Sequence, residues 1–504
     1  MGRCERRTPA SSHEDALPDL DPTDWKIFSA DAHRALDNVI AHMATLRDRP
    51  VWQEMTPAVR QRFTTPLPRR ETPLGDILSE ASANIMPYAT GNGHPLFMGW
   101  VHGAGTPVGM VAEMITAGLN ANCGGRDHVG IEIEEQITRW ASQLFGFPRE
   151  ASGVFVTGTS MANLLGLVVA RHRALGGEGK ARGLAAADAP LVAYTSSEAH
   201  GCIARAMEVA GLGSNALRMI AVNDEGAMDS ATLEEAIARD RRAGLKPFLI
   251  VGTAGSVNRG AIDPLDKLAD IAEREGMSFH VDGAFGALIA LSDKLRPLLA
   301  GIERADSIAF DFHKWAHVPY DSGFLLVRDS ALHRDTFAQP AAYLARSPAG
   351  LGAGENWPCD FGVDLSRGFR ALKVWMTFQV LGADRIAAAI EDNCRLARIL
   401  AERLTASGLY EVVKSPALNI VCFALAGDEN GASSEPIVID LQRSGRAAPS
   451  LTRIDGRQVI RAAIVNHRST QADIDDFMIS LQVSALRIAQ ARFNETITGK
   501  RHIA

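Results

Sequence analysis

Seven short apolar runs, at residues 154–157, 191–196, 219–222, 248–252, 278–281, 307–310 and 324–327, alternate with amphipathic stretches such as 232–243 and 265–275. This alternation constrains the fold more than any other feature of the chain. Runs apolar on both faces, separated by segments of helix length, build a mostly parallel sheet covered by helices on both sides. In such sheets, ligand chemistry collects beyond the carboxyl ends of the strands. The residues to read are therefore those that follow each run.

Four of these positions carry polar groups, and a fifth carries a lysine. The first run leads into VTGTSMANL, where Thr159 and Ser160 open a helix behind Gly158. Free N–H groups, hydroxyls and the positive end of a helix dipole make a cradle for phosphate. His200, in TSSEAHGC, follows the second run, and Thr253, in VGTAGS, follows the fourth. The fifth run ends in HVDGAFG, which holds His280, Asp282 and Ala284. An aspartate there is costly to bury unless a cation faces it, and the small residues beside it leave room for a flat ring. The sixth run, SIAFDFHKW, delivers His313 and Lys314. Taken singly, each has an ordinary reading: a serine cap, a loop histidine, a surface lysine. Together they match pyridoxal phosphate, which needs an acid on its ring nitrogen and an amine on its aldehyde.

Composition narrows the setting. A net charge of -7 over 504 residues speaks against nucleic acid or an anionic membrane as partner. The six cysteines form no CxxC pair, so reduced thiols in a cytoplasmic protein are expected, with neither a disulfide framework nor a metal site. No apolar run approaches the length of a membrane span.

The chain divides as a disordered stretch over 1–24, a helical segment over 25–90, a large domain over 91–375 and a smaller α+β domain over 376–504. Asp31 is read as the cap of a first helix that carries Leu36, Val39, Ile40, Met43 and Leu46. A second helical pattern contains Leu74, Ile77, Leu78 and Ile85. Neither has a core of its own, so both are expected to dock on the main domain or on a partner subunit. Further helices are expected over 130–145, 365–407 and 471–492, and strands over 410–414, 419–424 and 459–465. The glycine-rich stretch from Gly91 to Gly125 holds Phe97, Trp100 and His102 as candidate pocket residues.

In order, HPLFMGW, GTSMANL, EAHGC, VGTAGSVNRGAIDPL, HVDGAFG, DFHKW, LSRGFRALKVW and VIRAAIVNHRST run from residue 94 to residue 470. With them the chain resembles the group II pyridoxal-phosphate decarboxylases, the family of aromatic amino acid, glutamate, cysteine sulfinate and diaminobutyrate decarboxylases. The resemblance implies a fold-type I, aminotransferase-like α/β architecture and a homodimer with its site at the interface. It implies a carboxy-lyase of amino acid metabolism that converts an L-amino acid, an aromatic one slightly favoured, to the amine and CO2. Lys314 would form the Schiff base with the cofactor, Asp282 would pair with the ring nitrogen, and His200 would stack over the ring with Ala284 beneath. Thr253 would sit near the ring substituents, and Thr159, Ser160 and His313 would contact the phosphate. Arg461 would hold the substrate carboxylate, and Trp100, Val101 and His102 would line the side-chain pocket.

The chain departs from the family pattern in two places. Many members carry a tyrosine on the loop before the FRALK segment, where it is linked to reprotonation; residues 347–368 here contain none, and Tyr343 matches an earlier position. Trp357 or a histidine is the candidate substitute. Members without that tyrosine release aldehyde, ammonia and peroxide, so an aldehyde synthase is the alternative outcome. The DHVGIE segment at 127–132 is also altered. His102 and Arg126 would suit an acidic side chain, which leaves acidic amino acid decarboxylation open as well.

Overall fold

The computed structural model describes residues 20–339 and 346–501. The disorder expected over 1–24 falls outside them as far as residue 19, and Tyr343 also falls outside. The described chain forms two compact units, residues 20–45 with 55–89 and residues 46–54 with 90 onward.

The smaller unit contains helices α1 (Trp25–Ala44), α2 (Pro57–Arg62) and α3 (Leu74–Asn84). Helix α1 starts earlier than its apolar spacing suggests, because Asp24 is its cap. The Asp24 carboxylate accepts the N–H groups of Lys26 at 2.7 Å and Ile27 at 3.2 Å. Asp31 sits inside the helix and pairs with Arg34. No residue of α1 or α3 is buried, and Trp25, Ile27, Ile40, Ile77 and Ile85 are exposed.

The larger unit is built on a seven-stranded sheet of β2 (Ser152–Val156), β3 (Leu191–Ser196), β4 (Leu217–Ile220), β5 (Lys246–Thr253), β6 (Ser278–Asp282), β7 (Ser307–Asp311) and β8 (Gly323–Val327). Their order across the sheet is β2-β8-β7-β6-β5-β3-β4. All pairs are parallel except those of β8, which runs antiparallel to both β2 and β7. Every residue of β3, β6, β7 and β8 is buried, as expected for strands covered on both faces. Helix α4 (Pro107–Leu119) leaves Met114, Ile115 and Leu119 exposed. Helix α5 (Val129–Phe145) begins on a His128 cap, and α6 (Thr159–Leu175) springs from the end of β2.

A second sheet contains β1 (Phe97–Met98), β9 (Tyr410–Lys414), β10 (Ile420–Leu425), β11 (Ala448–Ile454) and β12 (Arg457–Ala463), in the order β1-β11-β12-β10-β9. Two of these strands escape the sequence reading. The β1 strand is two residues long, and β11 carries a mixed pattern, APSLTRI. The single helix expected over 365–407 is two helices, Arg370–Leu381 and Ala383–Ala406. Gly382, at φ 74°, breaks it between them.

One buried ion pair ties the segment before the helix Arg370–Leu381 to the sheet. The Arg367 guanidinium grips the Glu134 carboxylate and donates to the carbonyls of Cys123 at 2.7 Å and Phe155 at 3.0 Å. Both side chains lie inside the protein. Removing one partner leaves a buried charge unanswered, so Glu134→Gln is expected to cost ~3 kcal/mol. Urea unfolding of Glu134→Gln, Arg367→Gln and the double variant checks this; the double variant should cost less than the sum of the singles.

Candidate active site

The carboxyl ends of β2, β3, β5, β6 and β7 surround a cavity of about 390 Å³. Thr159, Ser160, His200, Thr253, Asp282, Ala284, His313 and Lys314 all line it, together with Trp100, Val101 and His102. Two glycines make this convergence possible. A side chain at Gly103 would meet the carbonyl oxygens of His313 and Lys314, and one at Gly323 would meet the backbone of Gly158. These contacts bring the 100–103 segment against the lysine, and β8 against the turn that opens α6.

Asp282 ends β6 and is 3% exposed. Its Oδ1 accepts the Ala284 N–H at 3.1 Å, and its Oδ2 accepts from Asn163 Nδ2 at 3.0 Å. Burial pushes its carboxyl above the usual range, while Lys314 pulls the other way. Among the described residues, no cation lies within ion-pairing distance of it. Nearby, the hydroxyls of Thr159 and Thr253 are buried without a hydrogen-bond partner. An acid awaiting a positive group and two unused hydroxyls fit a ring with a protonatable nitrogen and polar substituents.

Lys314 lies across the cavity in an ion pair, its Nζ 3.0 Å from Asp311 Oδ2. The sequence reading did not single out Asp311. The available signal was the one that exposed Asp282, a carboxylate within an apolar strand run. Asp311 is 2% exposed on its side chain; its Oδ1 accepts the Thr159 N–H at 2.7 Å, and its Oδ2 lies 3.6 Å from His313 Nε2. His313 accepts the Ser322 N–H on Nδ1 at 3.0 Å, and burial holds its pKa below the usual histidine value. His200 Nδ1 accepts the Cys202 N–H at 3.2 Å.

The outer wall of the cavity is aromatic. His102 packs against Phe97 at 5.7 Å and Trp100 at 5.8 Å, whose own rings lie 6.3 Å apart, and it meets Tyr320 edge-on at 6.1 Å. Tyr320, also missed from sequence, packs on His313 at 4.3 Å. It follows the lysine by six residues in a loop without periodicity to flag it.

Three sequence expectations need correction. Arg461 does not line the cavity: its Nη atoms donate to the carbonyls of Trp100, at 3.0 Å, and Val257. It holds the wall from behind, and burial lowers its pKa to about 10. Arg126 does not face the cavity either; it lies 4.5 Å over the Trp357 ring, with Arg346 at 5.0 Å. Trp357 is buried between them and gives its indole N–H to the Ala353 carbonyl at 3.0 Å. That commits it to bracing its own loop.

With this geometry, comparison with known proteins is decisive. Residues 57–426 match the family model described as the pyridoxal-dependent decarboxylase conserved domain. The chain belongs to the pyridoxal-dependent decarboxylases. It is similar to an aromatic-L-amino-acid decarboxylase of Bacillus atrophaeus, 31% identical across 91% of this chain and 95% of that one. It is also similar to a phenylacetaldehyde synthase of Arabidopsis thaliana, 26% identical across 88% of this chain and 92% of that one. The crystal structure of mouse CSAD superimposes with a TM-score of 0.85 at 26% identity, over 92% of this chain and 99% of that one. This decarboxylase is thus a fold-type I carboxy-lyase that uses pyridoxal 5'-phosphate. No helix among its described residues is long and apolar enough to cross a membrane.

The site sets a pH dependence on the fold of the decarboxylase. Burial pushes His280, two residues before Asp282, down to about 4, against ~6.5 in an unfolded chain. The unfolded chain therefore takes up the proton first, so this contribution is complete above pH ~6.5 and is lost as pH falls toward 4. Asp263, pushed up to about 6 by burial, has the opposite sign and loses its contribution as pH rises through 6. Melting temperatures followed by circular dichroism between about pH 7 and 4.5 should fall with falling pH, and His280→Gln should flatten the fall.

Proposed function

We propose that this decarboxylase removes the carboxylate of an L-amino acid with an aromatic side chain, releasing the amine and CO2. The observation that carries this reading is the aromatic wall of Trp100, His102 and Tyr320, with Phe97 packed against His102. Such a surface favours a flat apolar side chain over a charged one. The turning away of Arg126 weakens the acidic-substrate alternative. Similarity to an aromatic-L-amino-acid decarboxylase supports the same reading.

In this reading Lys314 is the amine that holds the cofactor aldehyde, and Asp282 is the acid on its ring nitrogen. His200 covers one face of the ring and Ala284 supports the other, with Thr253 at the ring substituents. Thr159, Ser160 and His313 hold the phosphate at the first turn of α6, at the positive end of its dipole. When bound, pyridoxal phosphate supplies an electron-withdrawing ring that accommodates the electron pair left by the departing CO2. The residues of the chain orient the substrate and manage the proton. Trp100, Val101 and His102 position the side chain, and Arg461 keeps that wall in place through the Trp100 and Val257 carbonyls. Burial raises the Tyr320 phenol to about 12 and lowers the His102 imidazole. At neutral pH Tyr320 therefore retains a proton.

A second reading is an aldehyde synthase, in which dioxygen takes electrons that a proton would otherwise quench. It rests on the loop at residues 347–368, which contains no tyrosine, and on similarity to a phenylacetaldehyde synthase. The proposal also includes a homodimer, supported by α1 and α3, whose apolar residues find no core in their own unit. A cytoplasmic location accords with five buried free cysteines.

A CO2-release screen over the common L-amino acids should give the strongest signal with aromatic ones, with amine equal to CO2 and no peroxide. Stoichiometric aldehyde, ammonia and peroxide would establish the synthase instead, and a preference for glutamate or cysteine sulfinate would overturn the aromatic assignment. Lys314→Ala should abolish turnover and the visible absorbance of the bound cofactor. Tyr320→Phe should lower amine formation by roughly a hundredfold, the scale of a lost general acid, and raise the share of peroxide. Sedimentation velocity should give twice the chain mass.

A further inference from the structure

The buried residues behind Asp282 form a hydrogen-bonded file with one direction. His280 and Asp282 are two apart on β6, so they project to the same face. Asn163, in the second turn of α6, lies over both. Its Oδ1 is 2.8 Å from His280 Nε2, and its Nδ2 is 3.0 Å from Asp282 Oδ2. On the far side, His280 Nδ1 is 2.7 Å from the hydroxyl of Ser307, its register partner on β7. All these side chains are buried. Gly166, inside α6, makes room for the imidazole: a side chain there would come within 2.8 Å of it. A glycine weakens a helix interior, which here is accepted for a close approach.

The chemistry of the groups fixes the direction of the file. An ionised carboxylate only accepts, so Asn163 must turn its amide NH2 toward Asp282. Its carbonyl then faces His280, which must carry its proton on Nε2. That leaves Nδ1 to accept from the Ser307 hydroxyl. Every donor along the line points toward Asp282. The amide N–H is a stronger partner for an ionised carboxylate than for a neutral acid. The file therefore stabilises the ionised acid in a site where burial alone opposes it.

We infer that Asn163 and His280 are positioning residues that keep Asp282 charged and aimed at the ring nitrogen of the cofactor. The inference rests on the reading of Asp282 given above, and the test separates the two. Protein freed of cofactor is titrated with pyridoxal phosphate and with its analogue in which a C–H replaces the ring nitrogen, and the ratio of the two affinities is measured. Partial unfolding of a variant scales both affinities alike and leaves the ratio unchanged. The parent should prefer pyridoxal phosphate, and Asp282→Asn should erase that preference. Asn163→Leu and His280→Phe should each reduce it roughly tenfold while changing analogue affinity by less than about twofold, the scale of one hydrogen bond to a charged acceptor. His280→Gln, which still offers a donor to Asn163 Oδ1, should restore most of it. If Asn163→Leu and His280→Phe weaken both ligands equally, the two residues only pack, and the inference fails while the role of Asp282 stands. If Asp282→Asn keeps the preference, the reading of Asp282 itself falls and carries the inference with it.

Discussion

A carboxylate shut away from water with no cation beside it must be answered by some other group, and Asp282 is in that position. The end of β6 would not tolerate it without the Ala284 N–H, the Asn163 amide and a positive ligand arriving from the cavity. Its neighbour on the next strand, Asp311, solves the same problem internally through Lys314 and the first N–H of α6. The two acids thus differ in role because they differ in what faces them. One is paired with the protein's own amine; the other has no such partner among the described residues.

Much of the sheet is legible in the sequence because its strands are buried on both faces and read as unbroken apolar runs. All seven runs became strands, although the one expected at 219–222 lies two residues earlier as β4. Strand direction is not written in such runs, so the antiparallel course of β8 went unseen. The cofactor side was equally readable, because its residues sit at strand ends, where a polar group among apolar ones stands out. The substrate side was less so. Tyr320 lies in a loop, and which carbonyls the Arg461 guanidinium reaches is something spacing cannot supply. The α1 cap was misplaced for a related reason: Asp24 and Asp31 both precede apolar spacing, and only the backbone hydrogen bonds distinguish them.

The loop around Trp357 shows how a sequence departure can mislead. A tryptophan in a stretch without tyrosine invites a catalytic role, yet its ring is clamped between Arg126 and Arg346, and its N–H is occupied. The same packing places Arg126 over the Trp357 ring and away from the cavity lining. One packing arrangement therefore removes two candidates, and attention moves to the aromatic wall.

That wall has a consequence for how the molecule is made. Phe97 and Met98 pair with Ala448 and Pro449, and the Trp100 carbonyl accepts from Arg461. A nascent chain emerging from the ribosome would already contain every residue assigned to the cofactor while the surface that selects the substrate was still without its supports. In chain order the candidate cofactor residues, 159 to 314, all precede the segment 448 to 461 that braces the aromatic wall.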